Sequence, residues 1–158
     1  MKQKIYIETS VVSYLVARQS RNIVIAAHQA ATIDFWNHLC DYEVYISDIV
    51  IQESAQGDPN QAEKRTQALN PLLVLQLDEQ AKFLARDFIA SKVIPDKCPE
   101  DALHIAVAAV NGMDVIVTWN FKHINNPVTR IMVREIVEKH GWSCPEICSP
   151  EELLGDEV

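Results

Sequence analysis

The chain has 158 residues, of which 48% are hydrophobic and 23% charged, with only 4 glycines and 7 prolines. That is about one globular domain's worth, and it excludes collagen-like and Pro/Gly-rich disordered sequence. Lys plus Arg number 14 against 22 for Asp plus Glu, a formal charge of −8. This argues against nucleic-acid binding through a basic surface, unless several carboxylates converge on a metal ion whose charge replaces lysine and arginine.

Lys4-Ile5-Tyr6-Ile7 is a short β-rich apolar run and reads as a strand buried on both faces. It ends at Glu8-Thr9-Ser10, whose hydroxyls are placed to cap a helix starting near Val11. From Asn22 to Cys40, Ile25, Ala26, Ile33, Trp36 and Leu39 recur at helical spacing and predict a long helix. Glu43-Val44-Tyr45-Ile46 reads as a second strand, with Ser47 or Asp48 as the next cap, and a helix to about Ala55 that breaks at Gly57-Asp58-Pro59. Gln61 to Leu69 forms a polar helix, Leu72 to Leu75 a third strand, and Glu79 to Ser91 a helix with Phe83, Leu84 and Phe88 on one side.

After a loop at Pro95–Pro99, an Ala-rich helix runs from Glu100 to Asn111, with Pro99 suited to its first position and Gly112 to its end. Asp114 to Thr118 is a fourth strand, Thr129 to His140 a helix closed by Gly141, and a short strand lies near Ile147. Residues 1–150 read as a single domain, and the acidic tail 151–158 is expected to fray. Alternating strands and helices imply βαβ units: an α/β fold of three layers, α/β/α, around a mostly parallel sheet. In such sheets ligands bind beyond the carboxyl ends of the strands, where the strand order switches.

No apolar run approaches the roughly 20 residues of a membrane helix. The N-terminus meets an acid at Glu8, which excludes a signal-peptide core, so the expectation is a soluble cytoplasmic protein without membrane contact. Cys144 and Cys148 have no matching Cys or His pair at zinc-site spacing, and the four cysteines read as reduced, partly buried thiols. His104 reads as a packed, hydrogen-bonded histidine and Trp119 as packing beside a strand end. His28, His38 and His140 show no ligand spacing. Neither a Gly-rich phosphate loop nor a GxSxG elbow occurs.

Three acids stand out by position. Glu8 follows the first strand, Glu53 shares the face of Ile49 and Val50, and Asp101 shares the stripe of Ile105 and Ala108. A charged carboxylate among packed apolar residues is costly unless paired or bound to a cation. Three of them at one sheet edge repel each other, and a divalent metal relieves that repulsion. Spacing alone therefore points to a metal-binding α/β domain. Glu100 beside Asp101 does no more than favour the helix dipole.

Four blocks carry a resemblance: Ile5-Tyr6-Ile7-Glu8-Thr9-Ser10, Ile46-Ser47-Asp48-Ile49-Val50-Ile51-Gln52-Glu53, Pro99-Glu100-Asp101-Ala102-Leu103-His104-Ile105-Ala106 and Val117-Thr118-Trp119-Asn120-Phe121. In order and spacing they resemble the PIN domain family, most closely the bacterial VapC-type toxins. The resemblance implies a five-stranded parallel sheet and a metal-dependent ribonuclease. It makes Glu8, Glu53 and Asp101 ligands of Mg²⁺ or Mn²⁺, places Asn120 where many members carry a fourth acid, and gives Ser10 the role of supporting the first acid. Glu8 replaces the family's usual Asp, and Asn120 offers a carbonyl without charge, which weakens a second metal.

The resemblance further implies an RNA substrate, single-stranded or in a loop, with Lys97, Lys122 or Arg130 placing its backbone. It also implies an antitoxin partner, as the toxin of a type II pair, and a homodimer. The alternative is a catalytically degenerate domain that binds RNA or protein without cutting. Phosphotransfer domains of the receiver or haloacid-dehalogenase kind also carry strand-end acids, but they need an Asp nucleophile where this chain has Glu8 or Asn120.

Overall fold

The structure, a computed structural model, describes residues 1–155. In chain order the elements are β1 (Lys4–Ile7), α1 (Thr9–Val16), α2 (Ile23–Trp36), a 3₁₀ turn (Leu39–Asp41), β2 (Glu43–Ser47), α3 (Asp48–Ser54), α4 (Pro59–Leu69) and β3 (Leu73–Leu75). They continue with α5 (Glu79–Ala90), α6 (Pro99–Val110), β4 (Val115–Val117), α7 (Pro127–Lys139), β5 (Glu146–Cys148) and α8 (Pro150–Leu154). The strands form one sheet in the order β3-β2-β1-β4-β5, every neighbouring pair parallel, with helices flanking it. This is the expected α/β/α fold with five strands.

β1 lies in the middle of the sheet, and its Ile5, Tyr6 and Ile7 are fully buried, as are Ile116 and Val117 of β4. Unbroken β-branched and aromatic runs belong in such a position, covered on both faces. β3 is an edge strand, and its Leu73 and Val74 remain exposed. α6 is buried almost all round, from Ala102 through His104 to Ala109, because its alanines allow close approach of neighbouring elements. It packs chiefly on α5. α5 ends in a Schellman turn, with the Val93 N–H on the Phe88 carbonyl and the Lys92 N–H on that of Ile89, and Lys92 at φ 60° takes the left-handed position usually given to glycine.

Three expectations are corrected. The predicted helix over 22–40 stops at Trp36 and gives way to the 3₁₀ turn. Its buried side is Gln29, Thr32 and Phe35, while Ile25 and Ile33 of the predicted apolar stripe face solvent. Gln29 is satisfied by the Ser20 N–H and the Arg18 carbonyl, and Thr32 by the His28 carbonyl and the Trp119 indole N–H. Phe83 is 62% exposed although Leu84 and Phe88 are buried. Where the acidic tail begins, Pro150–Leu154 form α8, closed at its start by a reciprocal capping box between Ser149 and Glu152; residues 156–158 of the tail expected to fray lie outside the described residues. Among the described residues no helix is long and apolar enough to cross a membrane.

Candidate metal centre

Strand order runs outward from β1 in both directions, so the carboxyl ends of β1 and β4 form the switch point of the sheet. Glu8 continues β1 past its end, its N–H on the Val117 carbonyl at 3.1 Å, and it also serves as N-cap of α1. Its side chain is buried. Ser10 Oγ donates to Glu8 Oε1 at 2.5 Å and Thr118 Oγ1 donates to the same oxygen at 2.6 Å. Both hydroxyls are themselves held, Ser10 by the Trp119 N–H at 2.8 Å and Thr118 by the Asn120 N–H at 2.9 Å. The expected helix cap is corrected: α1 starts at Thr9 with Glu8 as N-cap, so Thr9 and Ser10 lie inside its first turn with their hydroxyls on carboxylates, and among the described residues no side chain caps the helix.

Glu53, near the end of α3, is built the same way. Its Oε1 accepts from Thr9 Oγ1 at 2.6 Å and from His104 Nε2 at 2.6 Å. His104 is wholly buried on α6, and its Nδ1 meets the Tyr6 hydroxyl at 2.6 Å, which in turn meets Ser47 Oγ at 2.7 Å. A polar chain thus runs Ser47–Tyr6–His104–Glu53–Thr9 through the core, joining β2, β1, α6, α3 and α1. Burial by itself would raise the Glu53 carboxyl, but the His104 hydrogen bond and charge, with Thr9, hold it below the ordinary value. Burial would likewise depress His104, yet its bond to Glu53 and the charges of Glu8, Glu53 and Asp101 raise it. Both directions favour an imidazolium–carboxylate pair. Burial, foremost, drives the Tyr6 phenol far above its usual range, so it stays neutral.

Asp101 is engaged differently. In the first turn of α6, its Oδ1 accepts from Asn120 Nδ2 at 3.2 Å and its Oδ2 from His123 Nδ1 at 2.9 Å. Asn120 Oδ1 accepts the His123 N–H at 3.0 Å, so the side-chain carbonyl closes a turn. Among the described residues, the potential ligand atoms that lie within 4.8 Å of one another fall into two groups: Glu8, Glu53 and His104, and Cys98, Asp101 and His123. The predicted acid trio is thus gathered at one end of the sheet but divided between two neighbouring clusters. Ser10 is where it was expected, on the first acid.

The donor set suits a hard divalent cation, which takes carboxylate oxygens. Glu8 and Glu53 are each anchored through Oε1, and among the described residues no hydrogen bond reaches Oε2 of either. Neither these two nor Asp101 is paired with Lys or Arg; histidines make the only ion pairs here among the described residues. Lys97 and Lys122 are exposed, whereas Arg130 is tied to Asn125 Oδ1 at 2.6 Å. Trp119 is buried, stacked on His28 with ring centroids 4.2 Å apart, as packing requires. Sequence reading missed His123, Thr9 and Thr118. Only the nearness of His123 to Asn120 in the chain hinted at it.

The PIN domain family model matches residues 5–126. Among curated proteins none matches the chain. Of solved structures, VapBC2 from Rickettsia felis bound to a DNA fragment from its promoter is similar, with a TM-score of 0.58 at 15% identity over 93% of this chain and 98% of that one.

Proposed function

This chain belongs to the PIN domain family, and on that premise we propose that it is a metal-dependent endoribonuclease of the VapC type, hydrolysing RNA phosphodiester bonds. The observation that carries the reading is the anchoring of Glu8 and Glu53 through one oxygen each, at the strand switch point, with Asp101 beside them. Glu8, Glu53 and Asp101 would hold Mg²⁺ or Mn²⁺, which when bound supplies an activated water and a polarised phosphate.

The residues of the chain supply the rest. Ser10 and Thr118 fix the rotamer of the buried Glu8 carboxylate. Thr9 and His104 fix that of Glu53, and their hydrogen bonds hold its carboxyl below the ordinary value against the effect of burial. Asp101 completes the set by giving up one of its two hydrogen bonds, and Asn120 holds its other oxygen. Exposed Lys97 and Lys122 are available to place the RNA backbone, a positioning role that carries no base specificity. With a net charge of −8, the chain relies on the cation to draw phosphate to this edge.

With this reading go an antitoxin partner, a homodimeric assembly and a cytoplasmic RNA target, which the VapC-like sequence blocks imply. A second reading, a non-cleaving module that binds RNA or protein, is favoured by one observation: both oxygens of Asp101 already accept a hydrogen bond, whereas Glu8 and Glu53 each keep one oxygen without any among the described residues.

Wild-type protein and Asp101→Asn, incubated with single-stranded and structured RNAs under Mn²⁺, Mg²⁺ or EDTA, separate the two. We expect cleavage by wild type with metal only, and a loss of at least about 100-fold in the variant, since removing even an outer partner of a metal ligand costs 10–100-fold. Chelator-insensitive cleavage, or equal cleavage by both proteins, overturns the nuclease reading.

A further inference from the structure

The second ligand cluster has a different chemistry from the first. Cys98 Sγ, a carboxylate oxygen of Asp101 and a ring nitrogen of His123 lie within 4.8 Å of one another, all half-buried. The three residues are set by backbone geometry and by a neighbouring side chain. Cys98 is the N-cap of α6, its N–H on the Pro95 carbonyl at 2.9 Å and its carbonyl accepting the Asp101 N–H at 3.1 Å. Cys98 and Asp101, three residues apart across the first turn, share one face of the helix. The His123 backbone N–H is pinned by Asn120 Oδ1, and the Asn120 amide holds the second oxygen of Asp101.

One sulfur, one imidazole nitrogen and one carboxylate oxygen form the ligand set of an open four-coordinate zinc site, with water in the fourth position. Thiolate selects a soft cation over Mg²⁺, and the Irving–Williams order places Zn²⁺ well above Mn²⁺ at a mixed N/S/O site. Bonds of about 2.0–2.3 Å set tetrahedral ligand atoms roughly 3.3–3.7 Å apart, so His123 Nδ1 and Asp101 Oδ2, now 2.9 Å apart, need to open by only a few tenths of an ångström. Asn120 on Asp101 is the kind of outer partner that orients a ligating carboxylate.

We propose that Cys98, Asp101 and His123 form a binding site for a thiophilic divalent cation of the Zn²⁺ class, separate from the Glu8–Glu53 cluster, and that its occupancy withholds Asp101 from that cluster. Binding releases the thiol proton to solvent, shifts the His123 ring proton from Nδ1 to Nε2 so that Nδ1 carries a free lone pair, and replaces the His123–Asp101 hydrogen bond with two metal–ligand bonds. The binding claim stands on the cluster alone. The regulatory consequence, inhibition by zinc, rests on the nuclease reading above.

Co²⁺ titrated into the metal-free full chain is the probe, because a cobalt–thiolate bond gives a near-ultraviolet charge-transfer band and tetrahedral cobalt an intense visible one. We expect both at one equivalent in wild type, both lost in Cys98→Ser, and Zn²⁺ affinity at least tenfold weaker in His123→Gln by competition with a chromogenic chelator. The bands should persist in Glu8→Gln and in Cys40→Ser/Cys144→Ser/Cys148→Ser, with far-ultraviolet circular dichroism checking each fold. Absence of the bands in wild type, their survival in Cys98→Ser, or their loss in the triple variant overturns the site. In a parallel arm, Zn²⁺ should suppress Mn²⁺-supported RNA cleavage by wild type and spare Cys98→Ser. Equal suppression overturns the regulatory claim. A wild type that never cleaves sinks the nuclease reading and, with it, the zinc regulation built on it, while the cobalt bands still decide the site.

Discussion

Each of the two glutamates at the switch point separates its anchoring oxygen from the oxygen left for a ligand, and the anchors come from residues that would otherwise do routine work. Thr9 and Ser10 stand where a helix cap is expected and instead hold Glu53 and Glu8. The costliest of these supports to remove is His104, fully buried with both ring nitrogens engaged. His104→Ala strands the Tyr6 hydroxyl and the Glu53 carboxylate and opens a cavity, so we expect a loss of about 2–4 kcal/mol in urea unfolding. His104→Gln should recover part of it, and an unchanged midpoint in the alanine variant would contradict the network. The sequence makes Glu8, Glu53 and Asp101 legible because each is a carboxylate on an apolar face. It does not reveal His123, which lies in a loop without periodicity, or the turn that Asn120 closes by accepting a backbone N–H.

Among the elements, α5 and α7 are joined by a hydrogen-bonded pair away from the site. His140, the C-cap of α7, donates from Nε2 to Asp87 Oδ2 on α5 at 2.7 Å, and Ser91 adds a bond to the other oxygen. The His140 bond, foremost, holds the Asp87 carboxyl below its ordinary value of 3.8. A depressed folded value means the unfolded chain takes up the proton first on acidification. The stabilisation is therefore fully present above pH 3.8 and is lost as pH falls through the lower folded value. Urea midpoints of wild type and Asp87→Asn should differ at pH 6 and draw together as pH falls through the lower folded value; a gap that persists unchanged in acid would refute the assignment. α2 shows why element faces are harder to read than element positions. Gln29 and Thr32 take the buried side because the Arg18 carbonyl, the Ser20 N–H and the Trp119 indole satisfy them, and those partners are invisible to a count of apolar residues.

At the scale of the whole molecule, folding gathers Glu8, Glu53 and Asp101 at one sheet edge, where among the described residues only histidines form ion pairs with them. A cation that binds the folded state alone stabilises it by about 2.7 kcal/mol at 100 times its Kd. For a chain of this size each kcal/mol moves Tm by roughly 2–4 °C. Saturating Mn²⁺ should thus raise Tm by roughly 5–10 °C over EDTA in wild type and by far less in Glu8→Gln or Asp101→Asn. A shift of the same size in all three would mean that the metal binds elsewhere.

The order of strands and helices, the parallel sheet and the identity of the three acids follow from the sequence by itself, because each is written in local periodicity, in punctuation by Gly and Pro and in costly charge on apolar faces. The tertiary structure alone decided how those acids are shared out. Only when β1, β4, α3 and α6 meet do Ser10, Thr118, Thr9 and His104 reach Glu8 and Glu53, and His123 and Cys98 reach Asp101. Hydrogen bonds and ligand contacts act over about 3 Å between residues up to 110 positions apart, a proximity that no local pattern encodes.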